Sequence, residues 1–148
     1  APAFGTEPVE VISEFGEHDP GPQCDGLLYT DFTARFGDPD WENDPYGVTF
    51  PGGETIAEFQ IRIGAATRAL IERVGAGTAV VFCHGGVVDT VLRQALRTSG
   101  TGIFEIHTKN TSITEFVIVR PGRSRLVRYN DAAHTAVLPV STNRPEDF

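Results

Sequence analysis

The fold is decided by the stretch Thr78–Val87, which reads TAVVFCHGGV. An apolar run rich in β-branched residues ends at His84, and two glycines, Gly85 and Gly86, lead directly into a helical pattern. This order predicts a buried strand, a tight turn and a helix N-terminus, with His84 at the carboxyl end of the strand. Ligands of open α/β sheets bind at that edge, and the N–H groups of a helix's first turn favour an anion. The stretch predicts a phosphate or carboxylate site; the alternative is that His84 is an ordinary turn residue.

Composition limits the possible classes of protein. The chain has 148 residues, the length of one domain, and its hydrophobic fraction of 40% is too high for a disordered chain. No apolar run approaches the roughly 20 residues that cross a bilayer, so no membrane partner is expected. The net charge of −8 argues against nucleic acid as a partner, because a phosphate backbone requires a basic surface. We expect a single domain over residues 1–148.

The cysteines and histidines form no metal-binding motif. Cys24 and Cys83 are far apart, and the sequence lacks both H-E-x-x-H and His-x-x-x-His spacings, so neither a metal nor a cofactor is predicted. Cys83 is interpreted as a small buried apolar residue, and a reduced, cytoplasmic location is expected. The chain contains no Met, so Ala1 is not an unprocessed translation start. We expect that the chain has been processed or is part of a longer protein; its oligomeric state is not indicated.

Helical periodicity is clearest over Thr55–Val74, where Thr55 and Glu58 have the spacing of a capping box. Its apolar stripe consists of Ile56, Phe59, Ile63, Ala66, Leu70 and Val74. A second helix, from Val87 to about Arg97, is predicted to turn five side chains inward: Val88, Val91, Leu92, Ala95 and Leu96. The other predicted elements are a strand over Pro8–Phe15, a helix over Leu27–Phe36, a strand or irregular segment over Ile103–His107, and strands over Ser112–Val119 and Arg125–Tyr129. Together they predict an α/β sandwich whose parallel strands carry a mixed edge.

Two stretches are expected to lie outside the regular elements. Residues 38–53 are dense in proline, glycine and carboxylates, which predicts an exposed, lid-like excursion. Trp41 and Tyr46 are expected to pin this excursion or to cover a pocket with it. The chain from Asn130 onward shows no periodicity and is predicted to be coil, with residues 135–148 as a tail.

Several polar residues are candidates for the chemistry around His84. Glu17 lies in a glycine-punctuated loop, where a carboxylate either is solvated or, if enclosed in a pocket, acts as a general acid. Glu14 is the competing choice. Asn110 precedes a predicted strand and either donates to a ligand or is a turn residue. The His-Gly-Gly string is also found in esterases, but the G-x-S-x-G elbow that they require is absent. The other histidines, His18, His107 and His134, are interpreted as structural.

Five segments in a fixed order carry a resemblance to a known family. They are Glu17–Gly21 with Asp25-Gly26, Pro51–Thr55 leading a long helix to Arg62, the strand into His84–Gly86, Asn110–Thr114, and Arg128–His134. In this order, from about Pro8 to His134, the chain resembles the histidine phosphatase superfamily, the phosphoglycerate-mutase-like group. The resemblance implies a three-layer α/β sandwich with a mostly parallel central sheet and a mixed edge.

The resemblance also implies a function, namely hydrolysis of small phosphate monoesters through a phosphohistidine, without a metal. His84 resembles the second histidine of the family, which holds the transferring phosphoryl group. The backbone of Gly85 and Gly86 and the side chain of Asn110 would bind the phosphate or substrate. Glu17 resembles the proton donor to the leaving oxygen. A mutase is the alternative, but mutases usually carry basic residues in the excursion, which is acidic here.

The chain departs from the family pattern at one place. The family begins with a strand that ends in Arg-His-Gly and supplies the nucleophilic histidine, and no Arg-His pair occurs in these 148 residues. The resemblance implies that roughly 50 residues, a strand and one or two helices, precede this part. We expect a C-terminal part whose missing segment of the same protein binds nearby, because without that strand sheet edges and apolar faces would be exposed. The alternative is a non-catalytic pseudophosphatase that binds a phosphorylated ligand or a protein.

Overall fold

The structure, a computed structural model, describes residues 9–48, 50–100 and 106–136. It forms two compact units, residues 1–106 and 107–148. The described part of the first unit has three α-helices and that of the second has two β-strands: α1 (Tyr29–Phe36), α2 (Ile56–Val74), α3 (Gly85–Leu96), β1 (Ile113–Arg120) and β2 (Arg123–Asp131). This content is compatible with an α/β fold. The prediction of one domain over the whole chain stays a prediction.

Helix α2 begins and ends at the residues that its sequence indicates. The Thr55 hydroxyl accepts a hydrogen bond from the Glu58 N–H at 3.1 Å, and the Glu58 carboxylate accepts one from the Thr55 N–H at 2.8 Å. The capping box therefore satisfies two N–H groups that the first turn leaves free. Gly75 ends the helix with a φ of +58°, a conformation that glycine adopts without a steric penalty. The predicted helix is confirmed.

The core of the first unit lies where α2 meets α3 and a 3₁₀ turn at Ser13–Phe15. It consists of Phe15, Phe59, Ile63 and Val87, with Ile12, Ala66, Leu70 and Val91 packed against it. Ile63 is fully buried. The apolar stripe of α2 thus faces the core as predicted, and Phe59 and Ile63 are its most buried members.

Helix α3 begins two residues earlier than predicted, and its buried face differs in part. His84 is its N-cap, and Val87 and Leu92 are buried. Ala95 and Leu96, which were expected to face inward, are exposed. The α3 residues that contact the core cluster are Val87 and Val91, one turn apart, and the last turn of the helix extends beyond these contacts.

The segment before α3 differs most from expectation. Residues 78–83 form no β-ladder with any described residue, and Val80 and Phe82 are 69% and 71% exposed. Cys83 is exposed as well. A buried parallel strand needs a neighbour on each side and helices on both faces, and the described chain places no strand beside this segment. The prediction of a buried strand is therefore wrong for the described part of the chain, and so is the burial of Cys83.

The predicted first strand is also wrong where the structure describes it. Pro8 lies outside the described residues, residues 9–12 form no strand, and Ser13–Phe15 form a 3₁₀ turn. Local hydrogen bonds replace a ladder: the Phe15 N–H donates to the Ile12 carbonyl at 3.1 Å. The turn directs Phe15 into the core.

The second unit contains a β-hairpin. Strands β1 and β2 pair antiparallel around Pro121 and Gly122, with Phe116 opposite Leu126 and Val117 opposite Arg125. The two predicted strands are confirmed, but β2 continues to Asp131 and a 3₁₀ turn follows at Ala133–Thr135, so the coil predicted from Asn130 begins later than expected. The described strands form no parallel pair, and the parallel central sheet stays a prediction.

The excursion at residues 38–53 is held at one aromatic residue. The Tyr46 hydroxyl lies 2.9 Å from the Ser99 hydroxyl and accepts a hydrogen bond from the Gly100 N–H at 3.1 Å. Tyr46 thus pins the excursion to the chain after α3, whereas Trp41 is about half exposed. Residues 103–105 of the predicted segment Ile103–His107 lie outside the described residues. Residues 137–148 of the predicted tail lie outside them as well. No helix in the described ranges is both long and apolar enough to span a bilayer.

Candidate active site

Glu17 and the start of α3 come together although they are 69 positions apart in the sequence. The Glu17 carboxylate accepts a hydrogen bond from the Gly86 N–H at 2.9 Å through one oxygen and from the His18 N–H at 2.9 Å through the other. A Cβ atom on Gly86 would lie 2.3 Å from the Glu17 carboxylate, so only glycine permits the contact in this form.

His84 lies beside this contact and is open to solvent. As N-cap of α3 it has an extended backbone, with φ −102° and ψ 171°, and its ring has no hydrogen-bond partner among the described residues. The Gly85 N–H likewise has no acceptor in the described part of the chain. The His84 ring and the Gly85 N–H are therefore available to an anion. The neighbouring Gly86 N–H is already bonded to Glu17.

Cys83 contributes no nucleophile here. Although the residue as a whole is exposed, neighbouring atoms partly desolvate its thiol, and this desolvation, followed by the negative charge of Glu17, raises the pKa of Cys83. The thiol is therefore protonated at neutral pH, and a thiol is a much weaker nucleophile than a thiolate.

Arg62 of α2 fixes the loop that carries Glu17. Its guanidinium donates to the backbone carbonyls of Glu14 at 2.9 Å, Gly16 at 3.1 Å and Glu17 at 3.3 Å. It also donates to both carboxylate oxygens of Glu54, once at 3.1 Å and once in a shorter contact. These bonds use all five N–H donors of the arginine fork. From the sequence, Arg62 was predicted only as part of a segment that resembles the family. Its role in holding the loop could have been suspected because it is a cation beside the buried stripe of an amphipathic helix.

Glu54 completes the same network. Its Oε1 accepts from the Asp19 N–H at 3.0 Å, and its carbonyl lies 2.8 Å from Nε2 of His18. Partial burial would raise the pKa of Glu54, but hydrogen bonds from Arg62 and the Asp19 backbone outweigh burial, and the pKa is lowered. The His18 ring also packs edge-on against Phe59, with ring centroids 5.7 Å apart. His18 is thus used within the scaffold and is not presented to a ligand.

Two backbone segments touch directly where the Glu17 loop meets the chain before α2. A Cβ atom on Gly21 would lie 2.4 Å from the backbone carbon of Gly52, and Gly21 has a φ of +78°. A Cβ atom on Gly53 would lie 2.4 Å from the Asp19 carbonyl oxygen. Both contacts are possible only without side chains, so glycine at these positions lets the Glu17 loop pack closely on the chain before α2.

A cavity of about 260 Å³ lies beside the Glu17 loop. Its lining includes Glu17, Asp19, Glu54 and Arg62. Three carboxylates against one already paired guanidinium disfavour a phosphate there. A larger open groove of about 420 Å³ runs between α2 and α3 and contains none of the predicted site residues. The His84 ring and the Gly85 N–H, which have no partner in the described chain, suit an anion better than this cavity does.

The other two candidates, Glu14 and Asn110, are exposed residues. The Glu14 side chain is exposed and accepts from the Ser13 hydroxyl at 3.1 Å, so Glu17 and not Glu14 lies at the start of α3. Asn110 is an exposed turn residue of the second unit, before Thr111, whose φ is +61°. The role of Asn110 in binding stays a prediction. In residues 9–48, 50–100 and 106–136, no three His, Cys, Asp or Glu side chains are grouped so as to hold a metal ion.

Comparison with known proteins agrees with the sequence pattern. No curated protein and no solved structure gives a significant match to the chain. The family model of the histidine phosphatase superfamily (branch 1) matches residues 1–132, which is most of the chain. The chain belongs to the histidine phosphatase superfamily.

Proposed function

We propose that this chain is the phosphoryl-holding part of a phosphatase that hydrolyses small phosphate monoesters through a phosphohistidine. The observation that carries the proposal is the 2.9 Å contact between the Glu17 carboxylate and the Gly86 N–H, next to the unpartnered ring of His84. It brings a proton-transfer group and anion-binding donors to one helix N-terminus, although they come from distant parts of the chain.

Each residue takes one role in the proposed reaction. A histidine from an Arg-His-Gly segment, which is not among these 148 residues, attacks phosphorus, forming a P–N bond as the ester P–O bond breaks. Protonated Glu17 gives its proton to the departing alkoxide oxygen, and the His84 ring and the Gly85 N–H stabilise the charge on the phosphoryl oxygens. Water then attacks phosphorus, the P–N bond breaks, and the Glu17 carboxylate takes the proton from water.

Two features, one of the sequence and one of the structure, support a nucleophilic histidine that comes from outside these 148 residues. No Arg-His pair occurs in the sequence, and the apolar side chains of Val80 and Val81 before His84 are exposed. A strand carrying the nucleophile beside this segment would cover that apolar surface and bring a second imidazole to the His84 turn. The first feature equally favours the second candidate, a non-catalytic protein that binds phosphorylated ligands or another protein. A mutase is less favoured, because the excursion carries Asp38, Asp40, Glu42 and Asp44 and no basic residue.

Vanadate binding tests the phosphoryl-holding role without requiring the nucleophile. In ¹H–¹⁵N spectra of the 148-residue chain, orthovanadate is expected to shift the amides of Gly85 and Gly86 and the ring resonances of His84. His84→Ala should abolish these shifts, whereas the matched control His134→Ala, an exposed histidine of the second unit, should leave them unchanged. Shifts confined to other residues would contradict the proposal.

Turnover of p-nitrophenyl phosphate separates the two candidate functions. The 148-residue chain alone is expected to show none, whereas a longer form of the protein that includes an Arg-His-Gly segment should turn over and form an acid-labile phosphohistidine. Vanadate binding without turnover or phosphohistidine in that longer form would favour the non-catalytic candidate. Turnover by the 148-residue chain that survives His84→Ala would contradict the mechanism.

A further inference from the structure

Three arginines surround the tip of the β-hairpin. Arg120 ends β1, Arg123 begins β2 directly opposite it, and Arg125 follows two residues later. All three are exposed. Only Pro121 and Gly122 separate the two strands, so the charges are concentrated within a short length of ribbon.

The three arginines share one face of the ribbon. Residues that oppose each other in an antiparallel ladder project to the same side, which places Arg120 with Arg123. Residues two apart in a strand also share a side, which places Arg123 with Arg125. The irregular register between Ile118 and Arg120 allows Arg120 to join this face although Ile118 opposes Ser124 on the other.

None of the three has an ion-pair partner in the described part of the chain, in contrast to a fourth arginine of the same ladder. Arg128 contacts the carboxylates of Glu115 at 3.2 Å and Asp131 at 3.4 Å. Like charges opposed in a ladder destabilise it, and Arg120 opposite Arg123 is such a pair. The hairpin therefore carries an uncompensated repulsion that an anion bound on this face would relieve.

The spacing of the charges indicates the shape of the ligand. Arg123 and Arg125 are separated by about 7 Å along the strand, which is also the spacing of alternate side chains in any other extended chain. The two-stranded sheet has an unpaired edge on each strand among the described residues, and such edges accept a further strand through backbone hydrogen bonds. The planar guanidinium group binds carboxylates in bidentate fashion.

We propose that this hairpin face binds an extended acidic peptide whose carboxylates stand at alternate positions, opposite Arg123 and Arg125. This binding is separate from the phosphoryl chemistry at His84. The net charge of −8 disfavours a nucleic acid or an anionic bilayer, because each presents a dense negative surface to the whole acidic molecule. A short peptide presents only the few charges that the hairpin face can pair.

The test is titration of the 148-residue chain with a labelled hexapeptide of alternating glutamate and threonine at low salt, followed by fluorescence anisotropy. The double variant R123Q/R125Q is expected to bind about fivefold more weakly, as loss of two exposed charge pairs implies. The matched control Arg68→Gln removes an exposed arginine of α2 that also lacks an ion pair in the described chain, and should bind like wild type. Added salt should weaken wild-type binding more than variant binding.

Four outcomes would overturn the proposal. Equal affinity of wild type and R123Q/R125Q would show that the face is not used. Equal affinity for the same peptide with lysine in place of glutamate would remove the role of charge. Equal affinity for a peptide with three consecutive glutamates followed by three threonines would remove the alternate register. Binding of duplex DNA or phosphatidylserine vesicles that depends on these arginines, without binding of the alternating peptide, would assign the face to a polyanion instead. Circular dichroism confirms that each variant is folded.

Discussion

Around Arg62, each of the five donors of one guanidinium has an acceptor, and two backbone segments meet in contacts that only glycine allows. At His84, on the other side of Glu17, the ring and the Gly85 N–H have no partner in the described chain, and the apolar residues just before them are exposed. The first region is complete without any ligand or further chain, whereas the second presents unused donors and uncovered apolar surface. The difference supports the proposed roles: the residues that hold Glu17 are fully paired among themselves, and unpaired donors of the described chain lie at His84.

Removal of the Arg62 guanidinium should have the largest effect on stability. Arg62→Met keeps the side-chain stem but leaves the Glu54 carboxylate and three backbone carbonyls without their donor. We expect the free energy of unfolding, measured by urea denaturation, to fall by about 3 kcal/mol. Arg62→Lys restores the charge without the planar fork and should recover part of the loss. A loss below about 1 kcal/mol in Arg62→Met would show that the network does not hold the loop.

Gly21→Ala should have the next largest effect, because it combines a backbone clash with a positive φ. The new Cβ atom would lie 2.4 Å from Gly52 and the residue would keep a φ near +78°. We expect a loss of about 2 kcal/mol in thermal or urea denaturation.

Gly26→Ala is the matched control for this variant. Gly26 has a φ of +74° but no atom within 4 Å of its Cβ position, so it suffers the backbone strain alone, about 1 kcal/mol. Equal losses at positions 21 and 26 would mean that the loop does not pack closely on the chain before α2.

The sequence predicts most of the helices and strands but few of the hydrogen bonds that join distant segments. The capping box at Thr55 and Glu58, the stripe around Ile63 and the hairpin at Pro121 follow from local periodicity and turn chemistry, which a single sequence contains. The bonds of Arg62 to three carbonyls depend on where a distant loop comes to lie, and no spacing in the sequence encodes that position.

The error over residues 78–83 has a different cause. An apolar β-branched run indicates only that burial is favourable, and burial needs partners that the run itself does not specify. For the candidate site, Glu17 was preferred to Glu14 by resemblance, and the structure brings Glu17 to Gly86. The separation of 69 positions explains why composition and periodicity alone left both glutamates open.

The pH dependence of stability should report the Glu54–Arg62 pair. Because the pKa of Glu54 is lower in the folded chain than the ordinary value of a glutamate, the charged form stabilises folding above that ordinary value. This contribution is lost as the pH falls through the lowered folded-state pKa. Glu54→Gln should therefore destabilise the chain by about 1.5 kcal/mol at pH 7, and the difference from wild type should shrink toward acid pH.

Urea denaturation of both proteins between pH 7 and pH 3 measures this difference. Glu72→Gln, at an exposed position of α2 with no ion pair in the described chain, serves as the control and should stay within about 0.5 kcal/mol of wild type at each pH. A Glu54→Gln difference that grows toward acid pH would have the wrong sign for a lowered pKa and would contradict the proposed pairing.

The smallest effect on stability is expected at Val80, in the exposed segment before His84, where a substitution tests whether that region is uncovered. Val80 is 69% exposed, so Val80→Thr should change the free energy of unfolding by no more than about 0.5 kcal/mol. Val87→Thr makes the same chemical change at a position only 2% exposed and should cost about 1–3 kcal/mol, because the new hydroxyl is buried in an apolar cluster. Equal losses at the two positions would show that Val80 is covered in solution, as a parallel sheet through residues 78–83 requires. A loss at Val87 alone would confirm that the segment before His84 is uncovered in the 148-residue chain.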